Sequence, residues 1–80
     1  MNDYIPHIGQ RLKAARKQCF PLDDLRAFSI RIGVSRATYQ KMEKGALSVS
    51  LNSYYQAATV LGLTHTFDTM FRIEASLFDD

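Results

Sequence analysis

The chain has 80 residues, with ten Lys and Arg against eight Asp and Glu, a formal net charge of +2 and 46% apolar residues. This length fits one small domain and excludes a cofactor-binding α/β domain or a barrel, which need roughly 150 to 250 residues. Apolar runs fall well short of the about 20 residues of a membrane-spanning helix, and the N-terminus lacks the pattern of a secretory signal. The single Cys19 cannot form an internal disulfide, so we expect a cytoplasmic protein.

Charge is distributed unevenly along the chain. Residues 1–48 hold nine basic and four acidic residues, a net charge of +5, whereas residues 49–80 hold one basic and four acidic residues, a net charge of −3. A basic N-terminal part favours a polyanion as partner. Many soluble proteins carry such an asymmetry on a solvated surface, so charge alone leaves both interpretations open.

Single glycines and prolines divide the chain into short segments with helical apolar periodicity. The first helix is predicted over about 8–18, with one apolar face and an end before Pro21. The second is predicted from Asp23 or Asp24, either of which suits an N-cap, to Ile32. The pattern indicates two short helices before the middle of the chain.

Two further helices follow at close spacing. The third is predicted from its N-cap Ser35 to Gly45, and the fourth from the segment after Ser50 to Gly62. Cys19, at the end of the first helix, is expected to be a buried and inert thiol.

The fifth helix is predicted from Thr64 or Thr66 to Ser76. Its apolar side chains exceed what one small core can cover, so we expect part of them to form a dimer surface. Residues 1–80 are therefore interpreted as a single all-α domain of five helices, with 64–80 as a C-terminal helix and tail used in dimerisation. The apolar residues of this segment are Phe67, Met70, Phe71, Ile73, Leu77 and Phe78.

Residues 25–45 carry the most informative pattern. Ser29 is small where two helices must approach, Gly33 lies at the turn, and Val34 is expected to fill the space between the helices. Two helices joined by a three-residue turn with a glycine form a helix-turn-helix. With Tyr39 and Met42 inside, the outer side of the third helix is polar and basic, as the major groove of DNA accepts.

The segment GVSRATYQKMEKG resembles the turn, recognition helix and terminal Glu-x-Gly of the Cro and phage-repressor-like superfamily, the XRE family. The likeness continues back through IGQRLKAARKQ and forward through SVSLNSYYQAATVLGL, so that it covers about residues 8–63. The part after Gly45 is similar to regulators related to antitoxins of kinase-type toxin–antitoxin operons. The resemblance implies a lambda-repressor-like DNA-binding domain.

The resemblance also implies roles for individual residues. Ser35 and Lys44 match positions that contact backbone phosphate, and Arg16 with Glu43 matches a structural ion pair between the first and third helices. Phosphate contacts set register, whereas base contacts set sequence. The positions that match residues facing base edges are Arg36, Ala37, Gln40 and Lys41.

The sequence departs from the family pattern at three places. The first position of the second helix, where the family has a phosphate-binding Gln, is Leu25, and the neighbouring Arg26 is a substitute phosphate contact. The link between the first two helices is two residues longer than usual. Tyr39 replaces an aliphatic residue and needs a partner for its hydroxyl.

The sequence therefore predicts a sequence-specific regulator of transcription, a dimeric repressor that binds a palindromic operator in double-stranded DNA. The alternative is an antitoxin or adaptor that binds a toxin-like partner protein, with DNA binding secondary. No metal or cofactor is expected, because His7 and His65 lack Cys or carboxylate partners at ligand spacing. No nucleophile–base pair or phosphate loop points to an enzyme.

Overall fold

The computed structural model describes residues 3–73, which fold into five α-helices. Within that range the extended pairing amounts to one antiparallel bridge between Tyr4 and Ala46, and the all-α class is confirmed. None of the helices in the described range has the length and apolar character needed to cross a membrane. The helices are α1 (Pro6–Cys19), α2 (Leu25–Ile32), α3 (Arg36–Met42), α4 (Leu51–Leu61) and α5 (His65–Asp68).

The helix boundaries follow local side-chain chemistry. Of the two aspartates proposed as N-cap of α2, Asp24 has that role, and its side chain accepts a hydrogen bond from the backbone N–H of Ala27 at 2.8 Å. Ser35 caps α3 as expected, and Ser50 caps α4. Gly33 ends α2 with φ of +79°, a left-handed conformation that a side chain disfavours.

The core lies where α2, α3 and α4 meet. Tyr39, Phe28 and Met42 are its largest fully buried side chains. The ring of Phe28 contacts the ring of Tyr39, with centroids 5.2 Å apart, and the ring of Phe20 at 5.7 Å. Burial of these aromatic side chains fixes the inner face of α3 against α2.

The N-terminal segment passes close to the end of α3. Ile5 donates its backbone N–H to the carbonyl of Gly45 at 2.8 Å, and Leu47 donates to the carbonyl of Asp3 at the same distance. Gly9 of α1 is buried here, since a Cβ on it would lie 2.4 Å from the carbonyl oxygen of Glu43. A glycine in α1 therefore permits the close approach of this backbone.

Two predicted helices are longer than the observed ones. α3 ends at Met42 rather than at Gly45, because Gly45 has φ of +76° and its N–H bonds the carbonyl of Met42 in a tight turn. α5 ends at Asp68, and Met70 donates its N–H three residues back, to Phe67. The predicted end at Ser76 lies outside the described residues.

Two local features explain the early end of α5. The hydroxyls of Thr66 and Thr69 donate to the carbonyls of Leu63 and Thr66, and such bonds compete with helix continuation. Phe71 then takes a left-handed conformation with φ of +65°. The prediction for Cys19 was also wrong, since the thiol is exposed on the outer side of α1.

Replacement of Gly9 by Ala should destabilise the fold. The new Cβ would overlap backbone atoms of Glu43 and Gly45 that cannot rotate away, so the cost should be about 1–3 kcal/mol in the free energy of unfolding. Ala is otherwise the better helix former, which makes the expected sign informative. Urea unfolding measures the effect, with the neighbouring exposed Gln10→Ala as control. A Gly9→Ala variant as stable as the control would contradict this packing.

Candidate nucleic-acid interface

The outer face of α3 is formed by the residues that the sequence placed there. At about 100° per residue, positions 36, 37, 40, 41 and 44 fall within an arc of about 140° on a helix. Tyr39 and Met42 point the other way, into the core. The exposed residues of this face are Arg36, Ala37, Gln40, Lys41 and Lys44.

The cations of this face are not neutralised by neighbouring carboxylates. Among residues 3–73, the ion pairs join Arg16 to Glu43 and Arg31 to Asp23, and neither pair includes a cation of the α3 face. Unpaired guanidinium and ammonium groups attract phosphate oxygens, and exposed Arg and Gln side chains have the geometry to bond guanine and adenine edges. The chemical character of the face is therefore that of a polyanion-binding surface.

The N-terminal end of the α2–α3 unit differs from the family pattern as the sequence indicated. Leu25 is the first residue of α2 and packs partly buried against the core, so that no polar side chain is available at this position. Arg26, beside it, is exposed. The Ser35 hydroxyl accepts the N–H of Thr38 at 3.0 Å and donates to the Thr38 hydroxyl at 2.9 Å.

Arg16 and Glu43 form the ion pair that the resemblance implied. Arg16 Nε lies 2.7 Å from Glu43 Oε2 and Arg16 Nη2 lies 3.3 Å from Glu43 Oε1, and the two side chains are only 7% and 9% exposed. The hydrogen bond to Glu43 raises the pKa of the Arg16 guanidinium. The pair fastens α1 to the C-terminal end of α3.

Two further contacts of this pair were not expected from the sequence. Arg16 Nη1 donates to the backbone carbonyl of Asp23 at 2.7 Å, and the Tyr39 hydroxyl donates to Glu43 Oε2. Tyr39 and Glu43 are four residues apart on one helix, a spacing that would have indicated their contact. A backbone carbonyl such as that of Asp23 has no sequence signature.

Arg31 lies outside the set of predicted site residues, and its surroundings explain why it faces away from a ligand. Its guanidinium pairs with the Asp23 carboxylate and lies 4.2 Å from the centre of the Phe20 ring. The hydrogen bond from Arg31 lowers the pKa of Asp23. Arg31 is therefore engaged in fixing the α1–α2 link.

The predicted dimer residues have unequal environments. Phe67 is half-buried, and its ring meets that of Tyr55 edge-on at 5.2 Å, which docks α5 on α4. Met70 is 42% exposed and Phe71 93% exposed. Leu77 and Phe78 lie outside the described residues. Phe71 is thus the predicted dimer residue most available to a partner.

Comparisons of the chain with protein-family models, with curated proteins and with solved structures give no match. The functional argument therefore depends on the residues and geometry of this chain.

Removal of one partner of the buried ion pair should strongly destabilise the protein. Glu43→Gln leaves the guanidinium of Arg16 without its countercharge, and the expected cost is about 3–5 kcal/mol. Asp23→Asn, which weakens the partly exposed pair with Arg31 and keeps the Asp23 backbone carbonyl, should cost at most about 1 kcal/mol. Denaturant unfolding compares the two variants. Equal losses would show that burial does not distinguish these pairs.

Alkaline pH should destabilise the fold through Tyr39. Burial, and then the hydrogen bond to Glu43, raise the pKa of its hydroxyl, whereas the unfolded chain titrates near about pH 10. The contribution is therefore fully present below about pH 10 and is lost as the pH rises further. Tyr39→Phe should show a shallower decline in the free energy of unfolding above pH 10. Some decline should remain, because burial also raises the pKa of Tyr54.

Proposed function

We propose that this chain is a sequence-specific double-stranded DNA-binding regulator of transcription, a dimeric cytoplasmic repressor of the Cro and phage-repressor-like class. In this proposal α2 and α3 form the helix-turn-helix of a lambda-repressor-like domain, and α3 enters the major groove. The observation that carries it is the exposed α3 face, whose cations have no carboxylate partner among residues 3–73. The buried opposite side of the same helix holds that face in a fixed orientation.

The proposal assigns each exposed residue a part in recognition. Arg36 and Gln40 have the side chains suited to bidentate contacts with base edges, and Ala37 and Lys41 lie beside them. Ser35, Lys44 and Arg26 contact phosphates and set the position of α3 on the duplex. Arg16 and Glu43 support the fold without contacting DNA.

Dimerisation supplies the second recognition helix. A two-fold dimer through the C-terminal residues, with Phe71 as its most exposed apolar side chain and Phe67 and Met70 beside it, places two α3 helices in successive major grooves. The operator is then a palindrome with half-sites about 10 base pairs apart or a multiple of that spacing. Repression follows from occlusion of a promoter.

Selection of bound fragments from a random DNA pool tests the proposal directly. Enrichment of a palindromic motif, and an affinity that falls steeply with salt through counterion release, are the expected results. Recovery of random sequences with no salt dependence would reject sequence-specific DNA binding.

The second candidate is an antitoxin or adaptor that neutralises a toxin-like partner protein. It is favoured by the loss of a polar side chain at Leu25 and by the exposure of Phe71. Co-purification with the protein encoded beside the gene, retained when Arg36 and Lys41 are both changed to Ala, would support this candidate. Loss of the complex in that variant would tie the partner to the α3 face instead.

Single substitutions separate base contacts from phosphate contacts. Arg36→Ala should weaken binding to the selected operator by about 1–3 kcal/mol and relax specificity at one base pair. Lys44→Ala should weaken binding to all sequences alike and reduce the salt slope by about 1. Fluorescence anisotropy over a salt series measures both.

Arg72→Ala serves as the matched control, because it removes one exposed positive charge outside the α2–α3 unit. It should leave specificity unchanged. If Arg36→Ala weakened binding to every sequence equally, Arg36 would be a phosphate contact and the base-contact assignment would fail.

A further inference from the structure

An apolar groove of about 790 Å³ lies away from the α3 face, between α1, α4, α5 and the segment 45–49. Its walls include Ile8, Leu12, Leu51, Tyr54 and Met70. No residue of the exposed α3 face contributes to it. Among the described residues, Arg11 is the charged side chain of its lining.

The groove leaves apolar surface in contact with water. Ile8 is 45% exposed and Leu51 is 61% exposed. Contact of such surface with water costs about 25 cal/mol per Å², and contiguous apolar surfaces on small proteins mark contact sites. Its shape and lining fit an extended segment with large apolar side chains and a negative charge for Arg11.

We propose that residues 74–80 of the same chain occupy this groove, with Leu77 and Phe78 against its apolar wall. This segment reads Glu-Ala-Ser-Leu-Phe-Asp-Asp, so two large apolar residues are flanked by three carboxylates. The apolar pair matches the lining, and the carboxylates complement Arg11. No other part of the chain beyond residues 3–73 combines these two properties.

The segment is long enough and starts in the right place. The described chain ends at Ile73, directly after Met70 and Phe71, both of which line the groove. Leu77 lies four residues further, a reach of about 13 Å at about 3.3 Å per residue. The wall of α1 from Ile8 to Ala15 is about 10 Å long.

The tether favours the same chain over a second copy. A short covalent linker holds its segment at an effective concentration in the millimolar range, above that of any separate protomer in dilute solution. Phe67 and Met70 then lie beneath the segment, and Phe71, 93% exposed at the rim, is left for contact with another protomer. The inference does not depend on DNA binding.

Paramagnetic relaxation in the full-length chain tests the inference. A nitroxide is attached at position 76 of a Cys19→Ser, Ser76→Cys variant, because the exposed native thiol would otherwise react. Signals of Ile8, Leu12 and Leu51 should broaden strongly, and those of the α3 face should not. Addition of Leu77→Ala and Phe78→Ala should abolish the selective broadening.

Two results would overturn the inference. One is the absence of selective broadening at the groove in the labelled chain. The other is broadening that arises only in a mixture of isotope-labelled chain without nitroxide and nitroxide-labelled chain without isotope, which would assign the groove to a second copy. Failure of DNA binding would leave this measurement unaffected, so the two proposals fail independently.

Discussion

The buried ion pair between Arg16 and Glu43 is the constraint on which the orientation of α3 depends. Arg16 reaches α3 through Glu43 and reaches the start of α2 through the carbonyl of Asp23, so that one guanidinium joins three segments. Desolvation of both charges opposes this arrangement. Their hydrogen bonds offset that cost, since Tyr39 also donates to the carboxylate. With its C-terminal end fastened in this way, α3 has one face fixed inward and the other fixed outward.

This fixed orientation gives the molecule two chemically different surfaces. The outer side of α3 is polar and basic, and its exposed cations include Arg36 and Lys41. The groove between α1, α4 and α5 is apolar except for Arg11. The net charge of +2 therefore conceals a division between a basic surface suited to phosphate and an apolar surface suited to protein segments. Neither surface interferes with the other, because they share no residue.

The sequence predicted best those features that local chemistry determines. Ser35 caps a helix because its hydroxyl satisfies a backbone N–H three residues on, and Gly33 ends one because it adopts positive φ. The end of α5 and the exposure of Cys19 depend instead on tertiary packing, which no short pattern records. The outward direction of α3 was predictable from its period, but its DNA contacts stay predictions. Apolar excess in the C-terminal part was visible, whereas the groove became visible only once α1 and α4 were placed together.

The longer link between α1 and α2 shows how the fold accommodates a departure from the family pattern. The link is anchored at both ends: the Phe20 ring packs on Phe28 and under the guanidinium of Arg31, and the Asp23 carboxylate pairs with Arg31. The extra length is confined to its tip, where Leu22 is 98% exposed. Because both ends are held, α2 keeps its position against α3. Insertion at such a tip has a small entropic cost, so the α2–α3 unit tolerates it without loss of the geometry that presents α3.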